Sequence, residues 1–175
     1  KKTLKLRGMP VSYNPFSMKV QRVPFINLVN PYFDRLMRLQ KLQLIKQIFE
    51  EDFRFGLNEH NGWVATKYYR GGMSPMGWHT DIAHSWQYAI KRDVFFNLEI
   101  HLDQSKHSSG SLGILPQTHN QSLLSLYLRK IPFLDFKAME GELYIETEAG
   151  DLTIHNGALW HRVSGNQRLR RVIYV

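Results

Sequence analysis

Gly71-Gly72-Met73-Ser74-Pro75-Met76-Gly77-Trp78-His79-Thr80-Asp81 is the stretch on which the reading of this chain turns. A lead-in rich in Gly and Pro delivers a His and an Asp separated by one residue. On an extended strand end, side chains two apart share a face, so His79 and Asp81 can reach one ion. That pair alone is a weak signal, because His-x-Asp tripeptides arise by chance and usually sit on polar surfaces. The rest of the chain supplies what the pair lacks. His161 lies in the apolar run Ala158-Leu159-Trp160-His161, where a buried imidazole needs a partner. Arg168, Arg170 and Arg171 follow it. Two neutral imidazoles and one carboxylate form the facial triad of a mononuclear non-haem iron(II) site and leave the opposite positions open. Soft thiolate ligands are excluded, since the chain has no cysteine.

The length of 175 residues suits a single domain, 1–175. An apolar content of 43% with 13% aromatic residues is that of a folded globule and excludes a disordered segment. The lack of cysteine rules out a disulfide framework and a thiol nucleophile, and fits a reducing, cytoplasmic compartment. No run approaches the ~18 apolar residues that span a bilayer, so no membrane partner is expected. The net charge of +8 admits an anionic partner. The basic residues are spread along the chain, which is the pattern of a solvated surface, and a nucleic-acid partner is not expected. Oligomeric state is not legible.

Residues 1–62 read as an N-terminal arm and a support helix, and residues 63–175 as the core. Pro10, Pro15 and Pro24 break the arm into short pieces. Asn30-Pro31 starts a helix, with Asn as N-cap and Pro where a missing N–H costs nothing. Phe33, Leu36, Met37, Leu44, Ile45, Ile48 and Phe49 recur at helical spacing and predict a stripe packed on a sheet, ended by Gly56. From residue 63 onward the pattern is β. Strands are predicted at 63–70, 94–102, 111–115, 142–147, 151–155, 158–163 and 170–175, with a short helix at 122–130. In 94–102, Phe96, Leu98, Ile100 and Leu102 alternate with Asn97, Glu99 and His101, giving one polar face. Many short strands with helices to one side and no βαβ alternation predict a mainly β fold with flanking helices, a jelly roll.

These residues resemble the iron(II)- and 2-oxoglutarate-dependent dioxygenases, most closely the phytanoyl-CoA dioxygenase family. The resemblance runs from about Lys67 to the C-terminus. It rests on Trp78-His79-Thr80-Asp81, on Gly110-Ser111-Leu112-Gly113-Ile114-Leu115-Pro116-Gln117-Thr118-His119, and on Gly150-Asp151-Leu152 leading into Leu159-Trp160-His161-Arg162-Val163-Ser164-Gly165-Asn166 and the arginines. It implies a double-stranded β-helix of the cupin-like jelly-roll type. It also implies His79, Asp81 and His161 as ligands of Fe(II), with 2-oxoglutarate and O2 as cosubstrates. Arg170 looks like the group that anchors the distal carboxylate of 2-oxoglutarate, at a spacing from His161 similar to that in prolyl hydroxylases. Arg171 is its rival, because adjacent arginines on a strand face opposite ways. Tyr69 matches a tyrosine that contacts the cosubstrate in those enzymes, with a packed core aromatic as the alternative. Two departures stand out: Gln117-Thr118 replaces the usual Gly-Ser turn, and Val163 stands where a serine is frequent.

The implied activity is hydroxylation of a C–H bond of a small-molecule metabolite, with release of succinate and carbon dioxide. A carboxylate at Asp81 favours hydroxylation over halogenation, which requires a small residue there. Trp86, Tyr88, Trp160, Asn97, Glu99 and His101 are candidates for the pocket wall, and His84, His101 and His155 compete for the ligand role. Two other readings stand beside this one, a non-catalytic jelly-roll binding module and a nucleic-acid-directed oxygenase.

Overall fold

Alternating polarity in residues 96–101 sets the architecture, because a strand with one apolar and one polar face must bury the first and direct the second. In the computed structural model, which describes residues 12–13, 20–48, 64–68, 76–81, 96–122, 128, 135–163 and 170–174, the apolar face lies under helices. Leu98 and Ile173 form a buried cluster with Leu42 and Ile45, and Ile26, Phe33, Leu36, Ile100, Leu152 and Ile154 pack around it. The polar face turns into the interior of the β structure. Glu99 and His101, both candidates for the pocket wall, are buried, at 1% and 2% exposure.

The strands are β1 (Ser12–Tyr13), β2 (Val20–Val23), β3 (Val64–Tyr68), β4 (Met76–His79), β5 (Phe96–His101), β6 (Leu112–Ile114), β7 (Leu143–Ile145), β8 (Leu152–Asn156), β9 (His161–Val163) and β10 (Arg170–Tyr174). They form two sheets, β1-β2-β3-β10-β5-β8 and β4-β9-β6-β7, and every pairing is antiparallel. From β3 to β10 the chain passes back and forth between them: β3, β5, β8 and β10 belong to one sheet and β4, β6, β7 and β9 to the other. That interleaving is the double-stranded β-helix, or jelly roll, expected from the sequence.

The N-terminal helix differs from its expected form. Asn30 caps it, its Oδ1 accepting from the Tyr32 N–H at 3.0 Å, and Pro31 opens it. In place of one continuous helix, however, the chain forms Pro31–Met37, Gln40–Gln43 and Ile45–Ile48. No Gly or Pro lies at the break, so packing on the sheet overrides local propensity. The break re-phases the stripe: Leu42 becomes buried, whereas Leu44, expected inside, is 46% exposed. Met37 and Ile48 fall on these helices without a described side chain, and Phe49, Gly56 and most of the helix expected at 122–130 lie outside the described residues.

A second cluster joins the two strands that carry the metal motif. Trp78 and Trp160, at 0% and 1% exposure, pack 6.4 Å apart with Leu115 and Met139. Trp160 is thus core, and not pocket wall as the sequence allowed. Next to it, Arg162 is held by Glu142 through Nε at 2.6 Å and Nη2 at 2.8 Å, donates to the Tyr144 hydroxyl at 2.9 Å and lies over the Trp78 ring. Gly113 makes this possible, since a Cβ there would stand 2.1 Å from a Glu142 oxygen.

Thr118 does in this chain what the irregular Gln117-Thr118 turn has to do. It is buried, its hydroxyl donates to the Leu115 carbonyl at 2.7 Å, and the same oxygen accepts from the Trp160 N–H at 3.0 Å. Gln117 takes the left-handed conformation, φ 64°, that a glycine would adopt without strain. Replacing Thr118 by Val strands a buried donor and a buried acceptor beside His161. The expected loss is about 1–3 kcal/mol of unfolding free energy, read by urea titration, with Thr118→Ser close to unchanged.

Candidate metal centre

Strand register brings the two histidines together. β4 and β9 pair with His79 directly opposite His161, and the rings lie 4.2 Å apart. Each ring is fixed by its own backbone. His79 Nδ1 donates to the Gly77 carbonyl at 2.8 Å, and His161 Nδ1 donates to the Leu159 carbonyl at 2.9 Å. A carbonyl can only accept, so both rings carry a proton on Nδ1 and turn Nε2 inward. Burial pushes the His161 imidazole towards its neutral form, which is the form that ligates.

Asp81 meets both Nε2 atoms. Its carboxylate lies 3.8 Å from His79 Nε2 and 3.5 Å from His161 Nε2, and the three candidate ligand atoms all fall within 4.8 Å of one another. A divalent ion with bonds of about 2.1 Å sets neighbouring ligands about 3 Å apart, so small side-chain rotations would close the set on one ion. Asp81 itself is positioned by three contacts. Its N–H donates to the Gly157 carbonyl at 2.9 Å, Asn97 Nδ2 donates to Oδ2, and His155 Nε2 lies 3.6 Å from Oδ2. Burial pushes its carboxyl up, but His161, His155 and His79 outweigh it and hold the group well below the usual carboxylate range. The donor set is therefore two imidazole nitrogens and an ionised carboxylate, which fits iron(II).

Gly157 reaches Asp81 because Asn156-Gly157 makes a turn. Asn156 Oδ1 accepts from the Ala158 N–H at 2.8 Å, and the Leu159 N–H donates to the Asn156 carbonyl at 2.9 Å. The strand expected over 158–163 consequently starts only at His161.

Behind the cluster lies a buried polar row. On the interior face of the larger sheet, Asn97 pairs with His155 and Glu99 with Thr153 across β5 and β8. Arg170 enters the same interior, with 2% exposure. Its Nη1 donates to the Gly110 carbonyl at 3.0 Å and its Nη2 to Glu99 Oε2 at 3.4 Å. Gly110 presents that carbonyl at φ 104°, a conformation that side chains resist. Arg171 turns outward and pairs with Asp103, its Nη2 2.7 Å from Oδ1. Of the two rival arginines, the one inside the barrel is Arg170. A cavity of about 570 Å³ opens between the sheets beside His155, lined among others by Phe96, Leu112, Ile114, Ile145 and Leu159.

The structure thus gathers His79, Asp81 and His161, and brings in His155 as a fourth group. His101 stands farther back, its Nε2 3.0 Å from the Thr153 hydroxyl. Tyr69, His84, Trp86, Tyr88, Arg168 and residues 71–75 of the lead-in lie outside the described residues. The sequence reading missed the contacts of Asn97 with Asp81 and of Glu99 with Arg170. Their signal was the polar alternation of β5, which becomes informative once the opposite face is covered. No described helix is long and apolar enough to cross a membrane.

A jelly roll with two histidines and an aspartate converging at adjacent strand ends belongs to the cupin-like class of folds. Within that class the chain belongs to the phytanoyl-CoA dioxygenase family, whose model, "Phytanoyl-CoA dioxygenase (PhyH)", matches residues 29–171. No curated protein matches the sequence. Solved structures do resemble it in fold. EctD from S. alaskensis, with 2-oxoglutarate and 5-hydroxyectoine bound, superposes with a TM-score of 0.68 at 16% identity over 94% of this chain and 58% of that one. HygX from Streptomyces hygroscopicus with iron bound gives 0.64 at 14% identity over 87% and 70%. EvdO2 from Micromonospora carbonacea var. aurantiaca complexed with 2-oxoglutarate gives 0.61 at 14% over 99% and 78%. The chain spans less than two thirds of the EctD chain.

Proposed function

We propose that the protein is an iron(II)- and 2-oxoglutarate-dependent oxygenase that hydroxylates a C–H bond of a small molecule. The observation that carries this reading is the meeting of two Nε2 lone pairs and the Asp81 carboxylate, in a chain of the phytanoyl-CoA dioxygenase family. His79, Asp81 and His161 hold the iron, and Arg170 takes the distal carboxylate of 2-oxoglutarate. Bound iron supplies activation of O2 coupled to decarboxylation of the 2-oxo acid to succinate.

The residues of this chain do the rest. Gly77 and Leu159 carbonyls keep both imidazoles in the ligating tautomer. Asn97 and His155 aim Asp81. Trp78 and Trp160 exclude water behind the cluster. The cavity beside His155, lined largely by apolar side chains, offers a place for the substrate. The test is succinate formation by purified protein supplied with iron(II), ascorbate and 2-oxoglutarate. Production above that of an iron-free sample is expected, and equal production in the two would end the reading.

His155 contacts Asp81 from the opposite sheet and acts on the metal through it. His155→Ala should therefore keep one metal per chain while affinity falls about tenfold, as for other groups that orient a ligand. Metal analysis after gel filtration decides this, and loss of the bound metal would make His155 a ligand.

A further inference from the structure

We propose that Arg162 is a positioning residue for the metal centre, fixing β4 against β9 from the outer face of their sheet. The inference rests on the metal reading above and concerns a residue that the reading does not use. Its starting point is a bulge. Between the partner pairs Met76–Val163 and His79–His161, two residues of β4, Gly77 and Trp78, stand against one of β9, Arg162. An extra residue disrupts the ladder of backbone bonds and re-aims the side chains around it. The polar groups of this bulge are engaged elsewhere. The Trp78 N–H donates to the Asp135 carbonyl at 2.9 Å, and the Gly77 carbonyl accepts from the His79 ring at 2.8 Å. His79 and His161 are the partner pair that follows directly on this irregular step.

The outer face supplies what the ladder lacks. Side chains alternate along a strand, so Trp78 and Arg162 turn away from the cluster that their neighbours His79 and His161 face. Three consecutive carbonyls lie across these two residues. Asp135 accepts from the Trp78 backbone, Phe136 from Arg162 Nη1, and Lys137 from Trp78 Nε1 at 2.8 Å. The guanidinium carbon stands 5.3 Å from the centre of the Trp78 ring. Glu142 holds the other side of the fork, and the two side chains are buried, at 8% and 2% exposure. From β9, Arg162 thus grips both the segment 135–137 and Trp78 of β4. Each ligand ring is aimed by a carbonyl of its own strand, so a shift of one strand past the other parts the two Nε2 atoms.

The experiment is calorimetric titration with cobalt(II), standing in for iron(II), with the visible spectrum of the bound ion recorded alongside. Arg162→Met/Glu142→Met removes the buried pair as a whole, and apolar replacement of such a pair is often neutral or stabilising. The double variant should keep the urea midpoint of wild type, bind cobalt(II) about tenfold more weakly and shift the visible band. Affinity within about twofold of wild type overturns the proposal. So does weaker binding with an unshifted band, or with a lowered urea midpoint, since a merely structural residue would give either. Arg162→Lys decides the matter if the double variant fails to fold. It keeps a cation for Glu142, but one ammonium cannot serve both sides of the fork. It should show the same weaker binding and shifted band, and wild-type behaviour there overturns the proposal. Wild type that binds no cobalt(II) would end the metal reading and this inference with it. Wild type that binds, with variants that match it, ends this inference alone.

Discussion

Replacing Asp81 by Ala is expected to abolish turnover. The carboxylate is the one anionic ligand in the cluster, and only two imidazoles remain without it. It also ties the two sheets at this point, since Asn97 and His155 of one sheet meet it beside His79 and His161 of the other. Removing a group that merely orients a ligand costs about 10–100-fold in metal affinity, and removing the ligand itself should exceed that. Iron-dependent succinate formation is therefore expected to fall by more than about a hundredfold, together with the bound metal. The fold should survive, because Asp81 is partly exposed and the Trp78–Trp160 cluster beside it is untouched. Retained hydroxylation in Asp81→Ala with unaltered metal content would contradict the ligand assignment.

The chemistry of the site was legible in the sequence because ligand type and short spacing are local properties. His79 and Asp81 could be placed on one ion from a strand's period of two, and His161 from the improbability of a lone imidazole in an apolar run. What the sequence could not give was register. Nothing in either strand states that His79 stands opposite His161, because that pairing depends on strands far apart in the chain and on the Trp78–Trp160 contact. The same holds for Glu99. Its alternation with Leu98 and Ile100 was plain, yet which face is interior depends on helices contributed by residues 26–48. Leu44 failed for the converse reason: a helical stripe extrapolated through a break goes out of phase, and no local breaker marks the break. Asn156-Gly157 was readable turn chemistry between the strands expected at 151–155 and 158–163, and only its reach to Trp160 was hidden by the apolar run.

Arg170→Ala should raise the requirement for 2-oxoglutarate far more than Arg171→Ala does. Arg171 is nearly half exposed and engaged with Asp103, so its loss removes a surface pair worth little and should alter the requirement by less than about twofold. Arg170 is different on two counts. A charge-assisted bond to a carboxylate contributes about 1.5–3 kcal/mol, so its loss alone weakens the diacid by tenfold or more. In addition, Glu99 stays behind and faces the incoming carboxylate without a cation between them, which carries the expected weakening to about a hundredfold. The same uncompensated carboxylate destabilises the fold, by about 3–5 kcal/mol for a pair as buried as this one. The double variant Arg170→Ala/Glu99→Gln separates the two effects. It should recover most of the unfolding free energy, measured by urea titration, without recovering the affinity of wild type for 2-oxoglutarate. If instead Arg171→Ala proves the more damaging substitution, the anchor lies outside the barrel and the inward guanidinium serves only to neutralise Glu99.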